Sequence, residues 1–261
     1  MGWAGRLALA YRSEPWHEGA LRTVLHSRHE GPLRVLASLY PEAPAVCHNV
    51  LVHPPGGIVG GDTLHVVAEL ADGAHALVTT PGATRFYRSA GEPAQQSIDA
   101  RVAPGARLEW LPLETIVHTG ALAENRMRFE LAPGAEMIGW DVLALGLPAA
   151  GERFDRGCYT QRIELPGVWL ERARLAATDR RLFDSPLGWN GSTVLAAPSN
   201  ATLTARAVPA SRARPSASTA TSRTPRAAAA PSRSAGYSFS PRSTLPGTMR
   251  VVAAQTRTPP G

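Results

Sequence analysis

The sequence predicts an all-β chain in which many short strands stack in layers, as in a β-helix. Short runs of alternating apolar residues are separated by turns that contain Gly or Pro, a pattern typical of strands rather than of helices. A Gly-Ala pair also recurs in the turn between two runs, at Gly73-Ala74, Gly105-Ala106 and Gly134-Ala135. The spacings of 32 and 29 residues suit coils that bury one another's apolar faces.

The strand segments follow one another along the chain. They are VCHNVLVHPPGG, DTLHVVAELADGAHALVTTPG, RVAPGARLEWLPLETIVH and MRFELAPGAEMIGWDVLALG. Each holds at least one alternating run and a turn. Two other segments, HEGALRTVLHSRHE and GVWLERARLA, fit helix or strand equally well. We therefore expect little helix.

The net charge of +6 hides two different segments. All 21 acidic residues and 18 of the 27 Arg lie in residues 1–197, which gives that part a net charge of −3. Residues 198–261 hold the other nine Arg and are otherwise rich in Ala, Ser, Thr and Pro. We predict a β domain over 1–197 and a disordered tail over 198–261, because the tail has too little apolar surface to offset its ordering entropy.

Three explanations compete for the tail: a basic arm that binds nucleic acid, a natural flexible tail, or coding sequence read in the wrong frame. The chain has 27 Arg and no Lys, which indicates a GC-rich gene, and the composition changes abruptly near Pro198. These observations favour a frameshift. No apolar run reaches the roughly 18 residues of a membrane span, and the N-terminal apolar run is too short for a signal peptide. We therefore expect a cytoplasmic protein.

The stretch HPPGGIVGGDT at residues 53–63 resembles a phosphate-binding loop, but Asp62 stands where such a loop has Lys. A carboxylate there would repel phosphate, and the following TLHVVAEL alternates like a strand and offers no helix N-terminus. We instead predict a tight turn, stiffened by two Pro, that orients Asp62.

Other ionisable residues flank turns or strand ends: Glu109, Glu114, Asp141, Glu152 and Glu171. Carboxylates suit transient contact with divalent cations, and His adds affinity for nickel-like ions. The eight His and two Cys form no motif with metal-ligand spacing. Cys47 and His48 are adjacent and point to opposite faces if they lie on a strand, which disfavours chelation together with His53.

Five segments, in order, resemble the urease accessory protein D family, called H in some organisms. They are YPEAPAVCHNVLVHPPGGIVGGDTL, LVTTPGATRFYRS, LEWLPLETIVHTGA, GWDVLALGLPAAGERFDRG and SPLGWNGS. The resemblance implies a largely β, layered scaffold without catalytic activity that binds apo-urease. With accessory proteins F and G, it would support GTP-dependent insertion of nickel, and an internal tunnel would carry the ion. No tightly bound cofactor, nucleic acid or membrane is implied.

The resemblance also implies where nickel ligands would lie. By motif position the candidates are Asp62, Asp141 and Glu171, followed by Tyr40, Ser89, Glu109 and Glu114. For each carboxylate the alternative is a structural role, with its oxygens bonded to Arg or to backbone N–H groups. Arg85, Phe86, Tyr87 and Arg88 are alternatives for partner contact. The chain departs from the family pattern after Ala197, where members continue with apolar helices, which puts contact with F in doubt.

Three other readings remain open at this point. One is a structural scaffold with no metal path, which would hold if nickel neither bound nor passed. A β-solenoid enzyme acting on carbohydrate would use two of these carboxylates as acid and base and needs an open groove with aromatic platforms. A nucleic-acid-binding protein would use the basic tail, and its affinity would fall steeply with salt.

Overall fold

The computed structural model describes residues 2–197 and 203–206, which form 17 strands and three short helical turns. The strands, β1 to β17 in chain order, are Ala4–Pro15, Leu21–Glu30, Arg34–Val35, Val46–Val52, Thr63–Leu70, His75–Thr79, Thr84–Phe86, Ala94–Val102, Arg107–Leu111, Thr115–Val117, Leu122–Leu131, Glu136–Gly139, Asp141–Leu145, Cys158–Leu165, Trp169–Ala176, Val194–Ala197 and Leu203–Arg206. The 3₁₀ turns are His17–Gly19 and Pro148–Ala150, and helix α1 is Arg180–Asp184.

The strands form three sheets that enclose one core. The seven-stranded sheet has the order β15-β14-β11-β8-β5-β1-β2, the six-stranded sheet β17-β12-β9-β6-β4-β3, and the four-stranded sheet β16-β13-β10-β7. The chain visits the three sheets in turn: β5-β6-β7, then β8-β9-β10, then β11-β12-β13. Equivalent strands of successive coils pair in parallel. The predicted all-β, β-helix-like architecture is confirmed.

The recurring Gly-Ala pairs form one stacked corner, between the seven-stranded and six-stranded sheets. Gly73, Gly105 and Gly134 all have positive φ, near 70–80°, a region that an L side chain disfavours. Each following Ala is fully buried and donates its N–H to a carbonyl three residues earlier, as Ala106 does to Ala103. Gly105 N–H also donates to Gly134 O at 3.3 Å. The periodic echo in the sequence is therefore the vertical stacking of this corner.

The core lies along the axis between the sheets, where inward positions alternate with outward ones. On the seven-stranded sheet the inward rows are Leu64, Val66, Ala68 and Leu70; Ile98, Ala100 and Val102; and Met127 and Phe129. Antiparallel strands end this sheet on both sides: β2 pairs with β1, and β15 with β14. The parallel stack is thus flanked by two hairpins.

The two ambiguous segments are mainly strands, since they contain β2 and β15. The tail prediction for 198–261 lies outside the described residues, except for Leu203–Arg206, which pairs antiparallel with β12. None of the helices in the described ranges is long and apolar enough to span a membrane.

Candidate functional site

A cavity of about 340 Å³ lies between the three sheets, and it opens to solvent beside the exposed residues Pro81, Gly82 and Arg85. Apolar side chains such as Leu51, Ile58 and Met127 form much of its wall. The wall also carries side-chain oxygen and nitrogen atoms from two of the sheets and from the residue that follows β4: Thr84, Thr115 and Asp141, Gln96 and Asn125, and His53. Donor atoms are therefore spread around the cavity instead of being collected at one point.

An amide ladder crosses the seven-stranded sheet, and two of its three members, Gln96 and Asn125, line this cavity. The pairing register aligns Gln96, Asn125 and Gln161 on three successive strands, β8, β11 and β14. Gln96 Nε2 donates to Asn125 Oδ1 at 3.3 Å. Asn125 and Gln161 are buried, at 1% and 3% exposure, so their remaining polar atoms have to find partners inside the protein.

Sequence reasoning missed this ladder, although the strands carried a signal for it. In each strand an amide takes an inward position two residues before an apolar one, in QSI at Gln96, NRM at Asn125 and QRI at Gln161. An amide recurring in the buried phase of an alternating strand indicates an internal polar row.

Asp141, the first residue of β13, lies next to Gln161 at one end of this ladder. It is buried, and its Oδ2 accepts a hydrogen bond of 2.6 Å from Gln161 Nε2. Burial raises the pKa of Asp141, and the bond from Gln161 only partly opposes that shift. A cation near Asp141 would favour its charged form.

Two further groups belong to the same cluster. Burial raises the pKa of Glu171, and the nearby Asp141 carboxyl adds to the shift. Burial also raises the pKa of the fully buried Tyr159, again with a contribution from Asp141. The structure thus brings together two of the three leading candidates, Asp141 and Glu171.

Asp62, the third leading candidate, already has partners for both of its oxygens. Oδ1 accepts from Trp3 N–H at 2.8 Å, and Oδ2 accepts from Val59 N–H at 3.0 Å. The turn places this carboxylate as predicted, but its hydrogen bonds join the N-terminal segment to the loop before β5. Nearby, burial lowers the pKa of His53, which favours the neutral imidazole that can bind a metal.

The remaining candidates lie apart from one another. Glu109 Oε1 is 2.7 Å from His75 Nε2 on the six-stranded sheet, and Glu114 is half-buried at the corner before β10. Tyr40 donates to Thr23 O at 2.9 Å beneath the guanidinium of Arg22. Ser89 bonds Glu92 O within its own turn. The structure does not collect these four residues at one site.

The segment suggested for partner contact divides between core and surface. Phe86 is fully buried and so offers no contact surface, whereas Arg85 and Arg88 are exposed. Tyr87 stacks on His118 with ring centroids 4.9 Å apart. His118 in turn contacts Glu152. Burial raises the pKa of Glu152, but hydrogen bonds from Thr119 N–H and from His118 outweigh burial and lower it.

No group of three or more His, Cys, Asp or Glu side chains in the described ranges is arranged to hold a metal ion. Cys47 is buried, while His48 faces outward and contacts Glu42, as expected for adjacent strand residues. What the interior offers chemically is a sequence of separated donors, each suited to weak and reversible contact with a hard or borderline cation.

Comparison with known proteins gives the family. The profile described as UreD urease accessory protein matches residues 4–256. The urease accessory protein UreD of Leptothrix cholodnii is 66% identical over 195 residues, which cover 75% of this chain and 69% of the relative. That of Variovorax paradoxus is 56% identical over 236 residues, covering 90% and 82%. The chain therefore belongs to the UreD urease accessory protein family.

Proposed function

We propose that this protein is a non-catalytic urease maturation factor through which nickel passes on its way to apo-urease. Its partners would be apo-urease and accessory proteins F and G in the cytoplasm, with GTP hydrolysis by G driving insertion. Nickel is then a cargo in transit, and no cofactor is held tightly. Family membership supports the maturation role. The internal cavity with its scattered donor atoms is the observation that supports transit.

The chemistry of the cavity suits passage better than storage. Burial disfavours the charged form of the Asp141 carboxyl group. A passing cation would be attracted to the carboxylate and would stabilise that charged form. The amides at Gln96 and Asn125 and the hydroxyl of Thr115 are neutral oxygen donors along the same wall. Neutral, separated ligands bind weakly, and weak sites release an ion to the next one.

Asp141→Asn tests the transit role, since it removes the charge and keeps an oxygen that accepts from Gln161. We expect urease that is matured with this variant to contain less nickel, while the variant still assembles with apo-urease and the accessory proteins. Glu124→Gln is the control, because Glu124 lies on the outer face of the seven-stranded sheet, away from the cavity. Equal nickel content in urease matured by the wild type and by Asp141→Asn would contradict transit past Asp141.

Contact with F needs its own test because of the altered tail. Accessory protein F is used to pull down this chain and, in parallel, a version whose sequence after residue 197 is repaired. The difference in the amount bound measures the contribution of that segment. We expect the repaired chain to bind F more tightly. Equal binding would show that residues 198–261 are dispensable for this contact.

A further inference from the structure

Five Arg side chains point outward at one end of the seven-stranded sheet: Arg126, Arg128, Arg162, Arg172 and Arg174. The register places Arg126 opposite Arg162, and Arg162 opposite Arg172. Because neighbouring strands are about 4.8 Å apart, these three form a row across β11, β14 and β15, which we call the arginine row. Arg126 and Arg172 are exposed, and Arg162 is half-buried.

The arginine row is only partly neutralised by its own sheet. Arg162 Nη2 lies 2.5 Å from Glu164 Oε2, and Arg128 pairs with Glu130. Among residues 2–197, no carboxylate comes within 4.0 Å of the guanidinium groups of Arg126 or Arg172. Like charges directly opposite each other destabilise a sheet, so the fold gains nothing from three Arg in register.

A groove extends the row towards the other side of the sheet. Ser97 is the neighbour of Arg126 on β8, His65 follows on β5, and Arg6 on β1. Two shallow cavities of about 410 and 220 Å³ share His65, Ser97 and Arg126 in their walls. The small Ser97 thus leaves a depression that crosses the strands between Arg6 and Arg126.

We propose that the arginine row and its groove dock an acidic α-helix of a protein partner. One turn of helix rises about 5.4 Å, close to the strand spacing of about 4.8 Å, so carboxylates at i, i+3 or i+4, and i+7 meet successive Arg. The planar guanidinium binds carboxylate through two parallel hydrogen bonds. Leu170, 54% exposed on β15, offers an apolar contact beside the row.

A helix fits this face better than a nucleic acid does. Asp99, Glu124, Glu130 and Glu164 lie on the same outer face as the Arg side chains. A phosphate backbone carries negative charge along its whole length and would meet these carboxylates. A helix presents its acidic residues in one stripe and neutral or basic residues elsewhere.

The test uses the full chain and a labelled, alanine-based helical peptide with Glu at every fourth position, and its Gln counterpart. The test variant is Arg126→Glu with Arg172→Glu, and the matched control is Arg12→Glu with Arg181→Glu, an equal charge change at exposed sites elsewhere. We expect the test pair to weaken binding of the Glu peptide roughly tenfold and the control pair to leave it nearly unchanged. The Gln peptide should bind neither the test variant nor the control variant.

Two further readouts keep the outcome unambiguous. Arg126→Glu places an acid opposite Arg162, so the test variant should unfold at the same temperature as the wild type or higher, which separates lost binding from lost folding. A photo-crosslinker on the Glu peptide should label β11, β14 or β15. The proposal is overturned if the test pair and the control pair weaken binding of the Glu peptide equally, or if labelling is confined to residues after 197. It is also overturned if binding of an RNA duplex depends on Arg126 and Arg172 as strongly as binding of the peptide does.

Discussion

At the level of single residues, Asp62 and Asp141 have the same side chain but different surroundings. Asp62 accepts two backbone N–H bonds, which hold a turn together. Asp141 accepts one bond from an amide side chain and otherwise lines an internal cavity. The hydrogen-bond partners, more than the residue type, decide which carboxylate is free to meet a cation.

Asp62→Ala should therefore act on stability. The N–H groups of Trp3 and Val59 lose their acceptor, and because both residues are partly exposed, water replaces some of what is lost. We expect the free energy of unfolding to fall by about 1–3 kcal/mol, measured by urea denaturation. Asp72→Ala, in an exposed turn, is the control. Unchanged stability with reduced nickel in urease would instead assign Asp62 to transit.

Asp141→Asn should change the pH dependence of stability. The pKa of Asp141 is raised in the folded protein by burial, so its contribution to stability is full below the unfolded value of 3.8 and is lost as pH rises through the folded value. We expect the variant to melt at a higher temperature than the wild type at pH 7. The difference should shrink as the pH approaches 3.8, and a pH-independent difference would contradict a buried charge.

At the level of elements, the corner between the seven-stranded and six-stranded sheets is the repeating unit of the fold. Its glycines tolerate positive φ, and the buried Ala after each lets successive coils approach. The unit is local, because two residues and a turn define it. That is why the sequence alone revealed the stacking.

Gly105→Ala should weaken this corner through backbone conformation alone. A Cβ at Gly105 would have only Gly73 N nearby, at 4.0 Å, so the cost is the left-handed φ, about 1–2 kcal/mol. We expect a fall in melting temperature of about 2–8 °C, measured by circular dichroism. Gly82→Ala, a loop position with open space around it and no positive φ, should leave the melting temperature nearly unchanged.

At the level of the whole molecule, the cavity lies where residues of three sheets meet next to the apolar core. Residues from β5, β8, β11, β10 and β13 all reach it, although they are far apart in sequence. The proposed passage of nickel would therefore depend on how the three sheets pack, and a bulky side chain placed in the cavity should interrupt it.

Gln96→Trp tests this by filling the inside of the coil. Gln95→Trp is the matched control, since Gln95 is exposed on the outer face of the same strand. We expect both variants to assemble with apo-urease, and only the inward one to lower the nickel content of the matured enzyme. Overpacking costs about 1–3 kcal/mol, so the melting temperature of each variant is measured alongside. Equal nickel content with the two variants would count against an internal route.

The amino-acid sequence by itself determined the all-β class, the stacking of coils and the turn around Asp62, because alternation and glycine corners are local patterns. Its motifs also predicted the family. Only the tertiary structure decided that Asp141 and Glu171 lie together, that Gln96, Asn125 and Gln161 form a ladder, and that Phe86 belongs to the core. The ladder depends on parallel register between strands about 30 residues apart. The other two relations depend on how the three sheets pack against one another.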